Sequence, residues 1–231
     1  MASEPNKESL TAGHVRRYGL TTVSALRSLV FPTLSVKAVT RLTERLADSL
    51  WLTRRRLPGG GRYFVLGDRA AKELGCDPGS PFGYQALVNR IGVLHFCAKL
   101  GVEVFTSAEF RGTFPELAKR GMSASNYYIE PGEVRRLAFI HVDHGRTSER
   151  LVTKMRSRIS GRYRDPDFAA LIQQDRFLIA IATATEEKTR AVIRELEDRD
   201  PTRVRFRVET VPELFPLLVE GRPRTRRPRH A

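Results

Sequence analysis

Two stretches of the chain carry side chains whose types and spacing could do chemistry. The first, residues 35–62, holds hydroxyl and basic groups of the kind that bind base edges and phosphates: Ser35, Lys37, Thr40, Arg41, Arg45, Arg54, Arg55, Arg56 and Arg62. The second, residues 126–146, holds carboxylate, amide and imidazole groups of the kind that bind metal ions: Asn126, Glu130, His141, Asp143 and His144. The sequence thus offers two candidate sites, a nucleic-acid surface and a metal centre.

The first stretch is predicted to lie on a pair of helices. Residues 21–30 form a short helix with a hydroxyl N-cap, and Pro32 ends it because proline cannot continue the backbone hydrogen bonds. Ser35 then caps a second helix, from Val36 to about Ser49, in which apolar residues recur at helical spacing and predict one buried stripe: Val36, Val39, Leu42, Leu46 and Leu50. The basic and hydroxyl residues fall on the opposite faces. This pattern predicts a helix-turn-helix unit.

A glycine-rich hairpin is predicted directly after the second helix. Residues 51–57 and 62–66 are strand-like, and Pro58-Gly59-Gly60-Gly61 joins them with three residues that tolerate positive φ angles. A hairpin in this position is the wing of a winged helix, and four arginines would bring it to the phosphate backbone or the minor groove: Arg54, Arg55, Arg56 and Arg62. The alternative is a small helical domain with a solvated basic hairpin.

The second half of the chain alternates helices and strands. A helix over residues 84–100 precedes strands over 102–105, 126–129 and 134–143. A basic helix over 148–163 then precedes a strand over 177–182, a helix over 186–198 and a strand over 204–208. This order, α-β-β-β-α-β-α-β, predicts an α/β sandwich with a mixed sheet. The basic residues of the 148–163 helix form either a solvated face or a second surface for the DNA backbone.

Residues 18–74 resemble the N-terminal winged helix of the replication-relaxation protein family, which is found on bacterial plasmids and mobile elements. The resemblance rests on four short stretches: residues 39–46 (VTRLTERL), 50–52 (LWL), 63–67 (YFVLG) and 68–75 (DRAAKELG). It implies an α+β protein in which a winged helix-turn-helix precedes a restriction-endonuclease-like α/β sandwich. It also implies a role in replication, transfer or transcription control of a mobile element.

The same resemblance locates the positions at which an active nuclease would hold Mg²⁺. In active members of that fold an Asp opens the second strand, and an acidic-x-acidic or acidic-x-lysine triplet ends the third. These positions fall on or near Asn126 and on the triplet 141–143, in which only Asp143 is an acid. An amide and an imidazole do not supply the negative charge that draws Mg²⁺ out of water, so we expect no catalytic residue and no cofactor. The alternative is a Mg²⁺-dependent nuclease or nickase that uses Asp143 and Glu130.

His141, Asp143 and His144 could also ligate a zinc or iron ion. On a strand, however, residues 141 and 143 face one side of the sheet and residue 144 faces the other. The sequence therefore predicts a polar strand end here and no metal site.

The net charge of +14 is concentrated at the two ends of the chain. Residues 1–75 contain 13 Lys and Arg against 6 Asp and Glu, and residues 222–229 add five arginines and no acid, whereas residues 76–221 are nearly balanced. A polyanion partner explains this distribution, because each phosphate contact releases condensed counterions. Charge alone does not separate DNA from RNA or from an anionic membrane.

These patterns divide the chain into a disordered arm (1–13), a winged helix (14–75), a linker rich in Gly and Pro (76–83), an endonuclease-like domain (84–220) and a disordered tail (221–231). The arginines of the tail are either an arm that embraces DNA or an unbound end.

No stretch approaches the roughly 20 apolar residues of a membrane helix. The polar first residues do not form a signal peptide, and two cysteines make no disulfide framework. We therefore expect a cytoplasmic, non-enzymatic, homodimeric protein that binds duplex DNA. A third alternative is an adaptor that docks a replication or mobilisation protein.

Overall fold

The computed structural model of the chain describes residues 6–119, 124–199 and 204–221. Within these segments the chain is a mixed α+β structure in which helices pack around a two-stranded and a four-stranded sheet. No helix of the described segments is both long and apolar enough to cross a bilayer. The predicted tail lies outside the described residues, except for Gly221.

Residues 7–73 form a series of helices and one hairpin. In chain order these are α1 (Lys7–Tyr18), α2 (Val23–Leu29), α3 (Val36–Asp48), β1 (Leu52–Arg56), β2 (Arg62–Leu66) and α4 (Asp68–Glu73). The hydroxyls of Thr22 and Ser35 accept hydrogen bonds from the first turns of α2 and α3, as N-caps do. β1 and β2 are antiparallel, and Thr21 forms a one-residue bridge with Phe64 of β2. The predicted helix pair and hairpin are therefore present, within two residues of their predicted bounds.

Helix α1 lies where the sequence predicts a disordered arm, so that prediction is wrong for residues 6–13. Asn6 caps the helix by accepting a hydrogen bond from the backbone N–H of Glu8 at 3.2 Å. Ala12, Val15 and Tyr18 are buried on its inner face. This apolar face is short and begins with an alanine, so the polar composition of the segment conceals it. Residues 1–5 of the predicted arm lie outside the described residues.

The described residues beyond position 83 form a four-stranded sheet with helices on both faces. The elements are α5 (Tyr84–Leu100), α6 (Ser107–Thr113), α7 (Pro115–Lys119), β3 (Tyr127–Glu130), β4 (Arg136–Val142), α8 (Ser148–Tyr163), α9 (Pro166–Gln173), β5 (Phe177–Thr183), α10 (Glu186–Arg199), β6 (Arg205–Thr210) and α11 (Leu214–Glu220). The strand order is β3-β4-β5-β6, with β3 antiparallel to β4 and the other neighbours parallel. The mixed sheet is confirmed.

Part of the predicted element order is wrong. Residues 102–105 are not a strand, because only Val104 forms a bridge, to Tyr128. Helices α6, α7, α9 and α11 were not predicted. α6 begins with a reciprocal capping box between Thr106 and Glu109, and α9 begins with Pro166 after an Asp165 cap. These helices have only five to eight residues, which is too short for hydrophobic periodicity to reveal them.

The predicted linker, residues 76–83, contains no helix or strand, but it does not separate two cores. The backbone N–H of Gly79 donates to the Leu66 carbonyl at 2.9 Å, and a Cβ at Gly79 would overlap the Val65 side chain. One hydrophobic cluster joins Tyr18 and Tyr63 to residues of α5, β4, β5 and α11. The two halves of the chain therefore share a hydrophobic core, and the segment between them is packed.

The two faces of the larger sheet have different partners. α5 and α11 cover one face, where a Cβ at Gly92 of α5 would lie 2.6 Å from a methyl group of Val142. α8, α9 and α10 cover the other face. Alternation along β4 places Ile140 on the first face, and Phe139 and His141 on the second.

Candidate nucleic-acid interface

Helix α3 buries one narrow face and exposes the rest. Val39, Leu42 and Leu46 are buried, but Val36 and Leu50 at the two ends of the predicted stripe are 55% and 58% exposed. Val36 lies in the first turn, before the helix reaches the core. Leu50 lies beyond the helix end with a left-handed backbone (φ 62°), which turns its side chain away from the stripe. The prediction of a five-residue buried stripe is therefore wrong at both ends.

The solvent face of α3 presents two cations one helical turn apart. Lys37 and Arg41 are exposed, and the ion pairs found in this part of the described chain involve Arg45, Arg54 and Arg62 and neither of these two. Two side chains at positions i and i+4 project from the same face of a helix. Lys37 and Arg41 therefore form a positive surface that no carboxylate of the described residues neutralises.

The two predicted hydroxyls lie beside this surface and are held in place by the helix itself. Ser35 Oγ accepts from the backbone N–H of Ala38 at 3.2 Å, and Thr40 Oγ1 donates to the carbonyl of Val36 at 2.9 Å. The Ser35 hydroxyl keeps its proton for a further acceptor, and the Thr40 hydroxyl keeps lone pairs for a further donor. Both are positioned to add hydrogen bonds to a partner on the face of Lys37.

Unlike Lys37 and Arg41, Arg45 pairs with a carboxylate, which belongs to α1. Its guanidinium lies 3.2 Å from the carboxylate of Glu8. Arg45 also lines an open cavity of about 320 Å³ between α1 and α3, with Lys7, Leu34, Ala38, Arg41 and Leu42. Part of its charge is therefore used to hold α1 against α3.

The hairpin separates the four predicted wing arginines into two groups. Alternation along β1, with Arg56 opposite Arg62 in the register, places Arg54, Arg56 and Arg62 on one face and Arg55 on the other, beside Tyr63. Arg54 pairs with Asp48 at 2.6 Å and Arg62 with Glu44 at 3.4 Å, so this face looks toward α3. The structure thus brings three arginines to α3 and sets Arg55 apart.

The hairpin tip rests on the second half of the chain. Gly59, Gly60 and Gly61 all have positive φ angles, as predicted. A Cβ at Gly59 would lie 2.7 Å from Cβ of Pro216 in α11, whereas one at Gly60 would meet nothing within 4 Å. The contact with α11 fixes the direction of the hairpin relative to α3.

A buried hydrogen-bonded chain links α2 to the second half, and sequence reasoning did not find it. His95 of α5 places Nε2 3.1 Å from the Thr22 hydroxyl and Nδ1 3.2 Å from the Glu213 carboxylate. The hydrogen bond from His95 holds the pKa of Glu213 below its usual range. Thr22 is only 7% exposed, and its hydroxyl also caps α2 through the N–H of Ala25. The arrangement fixes α2, and an open groove of about 600 Å³ beside it extends to α3 and the hairpin.

The nuclease alternative requires acids at the carboxyl end of β4. The carboxylate found there already accepts hydrogen bonds from the backbone. Asp143 is 2% exposed, and its Oδ1 accepts from the backbone N–H groups of Gly145 and Arg146, both at 3.1 Å. Asn126 Nδ2 donates to the Ile140 carbonyl at 3.0 Å. Burial, reinforced by nearby cations, lowers the pKa of His141 to about 3, so its imidazole is neutral at pH 7. These side chains form the turn after β4.

Glu130 cannot join Asp143 at a shared metal ion. It lies opposite Arg136 at the start of β4, whereas Asp143 follows the last residue of that strand, about 20 Å away at the usual rise per residue. Both Glu130 oxygens are engaged, with the Tyr128 hydroxyl and the Arg207 guanidinium, each at 2.6 Å. Across the described segments, no group of three or more His, Cys, Asp or Glu side chains is placed to hold a metal ion. The residues present therefore do not fit a Mg²⁺ site.

The basic helix α8 turns several of its cations inward. The guanidinium carbon of Arg162 lies within 5.4 Å of the centroids of four aromatic rings, and its Nη2 donates to the Tyr127 hydroxyl at 2.6 Å. Arg158 lies 5.2 Å from the ring of Phe139. These contacts are made by half-buried side chains and leave little of their charge at the surface.

No protein-family model matches the chain, and a search of curated proteins finds no similar sequence. The candidate site therefore rests on its own geometry.

Proposed function

We propose that the protein binds duplex DNA through a winged helix formed by residues 7–66. The observation that carries this proposal is the exposed pair Lys37 and Arg41, one turn apart on α3 and free of acidic partners among the described residues. A positive helix face that no carboxylate of its own protein neutralises is suited to the phosphates and base edges of a nucleic acid.

The order of the elements supports this assignment. α2 and α3 follow each other across a short turn, and the antiparallel hairpin β1–β2 follows α3 directly. The bridge between Thr21 and Phe64 adds a third short segment to the hairpin and closes the unit around its core. In a helix-turn-helix protein the second helix of the pair enters the major groove. In this protein that helix is α3.

The positions of the side chains divide the proposed contacts into two kinds. Lys37 and Arg41, with the hydroxyls of Ser35 and Thr40, would reach base edges, since arginine and lysine pair with guanine in the major groove. The remaining cations of α3 and of the hairpin face that looks toward it would contact phosphates: Arg45, Arg54, Arg56 and Arg62. Arg54 and Arg62 would exchange Asp48 and Glu44 for phosphates. Arg55, on the opposite face, is removed from the proposed interface.

The four-stranded sheet and its helices would serve as a platform for the winged helix. The shared core and the contact of Gly59 with α11 hold the DNA-binding elements on this platform. A restriction-endonuclease-like ancestry without its metal ligands, a homodimer, and a role in replication, transfer or transcription control of a mobile element are further parts of the proposal. They rest on the resemblance to the replication-relaxation family.

The test uses two adjacent arginines that point to opposite faces of β1. Duplexes that the full-length protein retains are selected from a random pool, and their affinity is measured by fluorescence anisotropy over a range of salt concentrations. Arg56→Ala should weaken binding of all sequences alike and reduce the salt slope by about 1, as expected for one lost phosphate contact. Arg55→Ala should leave the slope unchanged.

Two results would contradict the proposal. One is a wild-type protein that selects no duplex and binds DNA with no dependence on salt. The other is cleavage of plasmid DNA in Mg²⁺ or Mn²⁺ that disappears in Asp143→Ala, since this would assign the activity to a nuclease.

A further inference from the structure

A second basic cavity lies away from α3, where α1, α5 and α6 meet. Its volume is about 670 Å³, and four arginines and no carboxylate are among the residues that line it: Arg16, Arg17, Arg90 and Arg111. Three hydroxyl side chains and the half-buried ring of Phe105 complete the lining. The winged-helix proposal makes no use of these residues.

One of the four arginines is committed to the fold. Arg17 forms a bidentate pair with Glu109, at 2.7 and 2.8 Å, and lies 3.5 Å from Glu103. It also donates to the Val104 carbonyl at 2.7 Å. Arg17 therefore uses these two nearby acids to fasten the end of α1 to α6 and to the segment before it, and neither acid is among the residues that line the cavity.

Arg90 has no such partner. It projects from α5, is half-buried, and makes one long hydrogen bond, 3.4 Å, to the carbonyl of Tyr18. Among the described residues it forms no ion pair with a carboxylate. Burial lowers the pKa of Arg90, and no attractive charge opposes this effect. A guanidinium that is partly desolvated and uses one of five donors is poised to accept an anion.

Arg16 and Arg111 add charge at the mouth of the cavity. Both are exposed, and Arg111 is oriented by a hydrogen bond from its Nε to the Ser107 carbonyl at 3.1 Å. That bond leaves the terminal nitrogens of Arg111 as free donors toward solvent. With Arg90, three guanidiniums from three helices line one space.

We propose that this cavity binds the phosphate group of a phosphate ester. Three guanidiniums around one cavity suit a phosphate, which carries one negative charge as a diester or close to two as a monoester and offers several acceptor oxygens, better than they suit a single carboxylate. The volume lies in the range of small-molecule sites, and Phe105 offers an apolar surface for the organic part of the ester. The phosphate belongs either to a free mononucleotide or to the backbone of bound DNA. The proposal does not depend on the assignment of α3.

The first arm of the test uses full-length protein and isothermal titration calorimetry. The probe is 2′-deoxyadenosine 5′-monophosphate, and deoxyadenosine is the control that lacks the phosphate. The monophosphate should bind saturably and the nucleoside should not. Arg90→Gln and Arg111→Glu should each weaken binding about tenfold or more, as expected for a lost charged hydrogen bond. Arg190→Gln, an exposed arginine on α10, should leave it unchanged. Arg111→Glu keeps the test valid if Arg90→Gln does not fold, because Arg111 is exposed.

The second arm measures duplex DNA affinity for the same variants. A loss of DNA affinity in Arg90→Gln and Arg111→Glu identifies the phosphate as part of the DNA backbone. A loss confined to the mononucleotide identifies a free ligand. If both variants bind the mononucleotide and DNA as the wild type does, the proposal is wrong. The effect of Arg41→Ala on DNA affinity is measured separately, so this failure would leave the winged-helix proposal untouched.

Discussion

Helices α3 and α8 are both rich in basic residues, but the structure gives their charges different surroundings. On α3, Lys37 and Arg41 are exposed and have no acidic partner among the described residues. On α8, Arg158 and Arg162 are half-buried against aromatic rings. Basic residues are therefore exposed on one helix and packed against aromatic rings on the other. The difference shows that burial and local partners, more than the number of basic residues, decide which basic helix can meet a polyanion.

The largest expected effect is the loss of stability on removing Arg162, which packs α8 against aromatic rings. Arg162→Ala should lower the free energy of unfolding by about 3 kcal/mol, since it removes stacking on four rings and a charged hydrogen bond to Tyr127. Arg150→Ala, at an exposed position of the same helix, should change it by less than about 0.5 kcal/mol. Urea unfolding followed by circular dichroism measures both. Equal effects of the two substitutions would show that α8 is a solvated face.

His141, which is buried beside the cations of α8, predicts a pH dependence of stability. The folded-state pKa of His141 is about 3, below its ordinary value of 6.5, because of burial and then of Arg158, Lys154, His144 and Arg146. The unfolded state therefore binds the proton more tightly, and the stability due to the neutral imidazole is complete above pH 6.5 and falls as the pH drops toward 3. Between pH 7 and pH 5 this single group should account for about 2 kcal/mol.

His141→Leu tests this dependence, because leucine does not titrate. The variant should lose less stability than the wild type between pH 7 and pH 5, by about 2 kcal/mol. His14, whose pKa burial lowers to about 4, contributes in the same direction to both proteins and cancels in the difference. Identical pH profiles for the two proteins would contradict the account of His141.

A matched pair of glycines tests how the hairpin beside α3 is attached to the second half of the chain. Gly59→Ala and Gly60→Ala both place a side chain at a positive φ angle, but only the first meets Pro216 of α11. Gly59→Ala should be the more destabilising by about 1–2 kcal/mol in urea unfolding, the usual cost of overpacking. If the two variants are equally stable, the hairpin tip does not rest on α11.

The smallest effect concerns Glu44, the acid that pairs with Arg62 of the hairpin. Glu44→Gln removes a negative charge beside Arg62, 3.4 Å away, at an exposed ion pair of small stability. Affinity for duplex DNA should rise about threefold, since Arg62 is freed for a phosphate. Glu186→Gln on α10 is the matched control, and anisotropy at low salt is the measurement. A decrease in affinity would show that Glu44 faces DNA as a specific contact.

Local sequence signals predict α3 and the hairpin well, because caps, helical spacing and glycines act over a few residues. The position of Lys37 and Arg41 on the exposed face of α3 could be predicted from the helical spacing alone. Two surroundings were not predicted. Arg45 meets Glu8 of a helix that was expected to be disordered, which is a non-local contact, and strand alternation places Arg55 on the opposite face from Arg54 and Arg56.

The second half shows the same division between local and distant signals. β4, β5, α8 and α10 lie close to their predicted positions, because each has a long and regular pattern. The ring contacts of Arg162 bring together residues from β3, β4, α9 and β5, and the link from Thr22 through His95 to Glu213 spans most of the chain. No short window of sequence contains either set.

The central claim is that Arg41 on α3 reads duplex DNA, and its most direct test is a ratio of two affinities. Wild type and Arg41→Ala are each measured against the best selected duplex and against a scrambled duplex of the same length. The winged-helix account predicts that Arg41→Ala loses about 1–3 kcal/mol of affinity for the selected duplex and little for the scrambled one, so that specificity relaxes. A variant that binds both duplexes as tightly as the wild type would contradict the account.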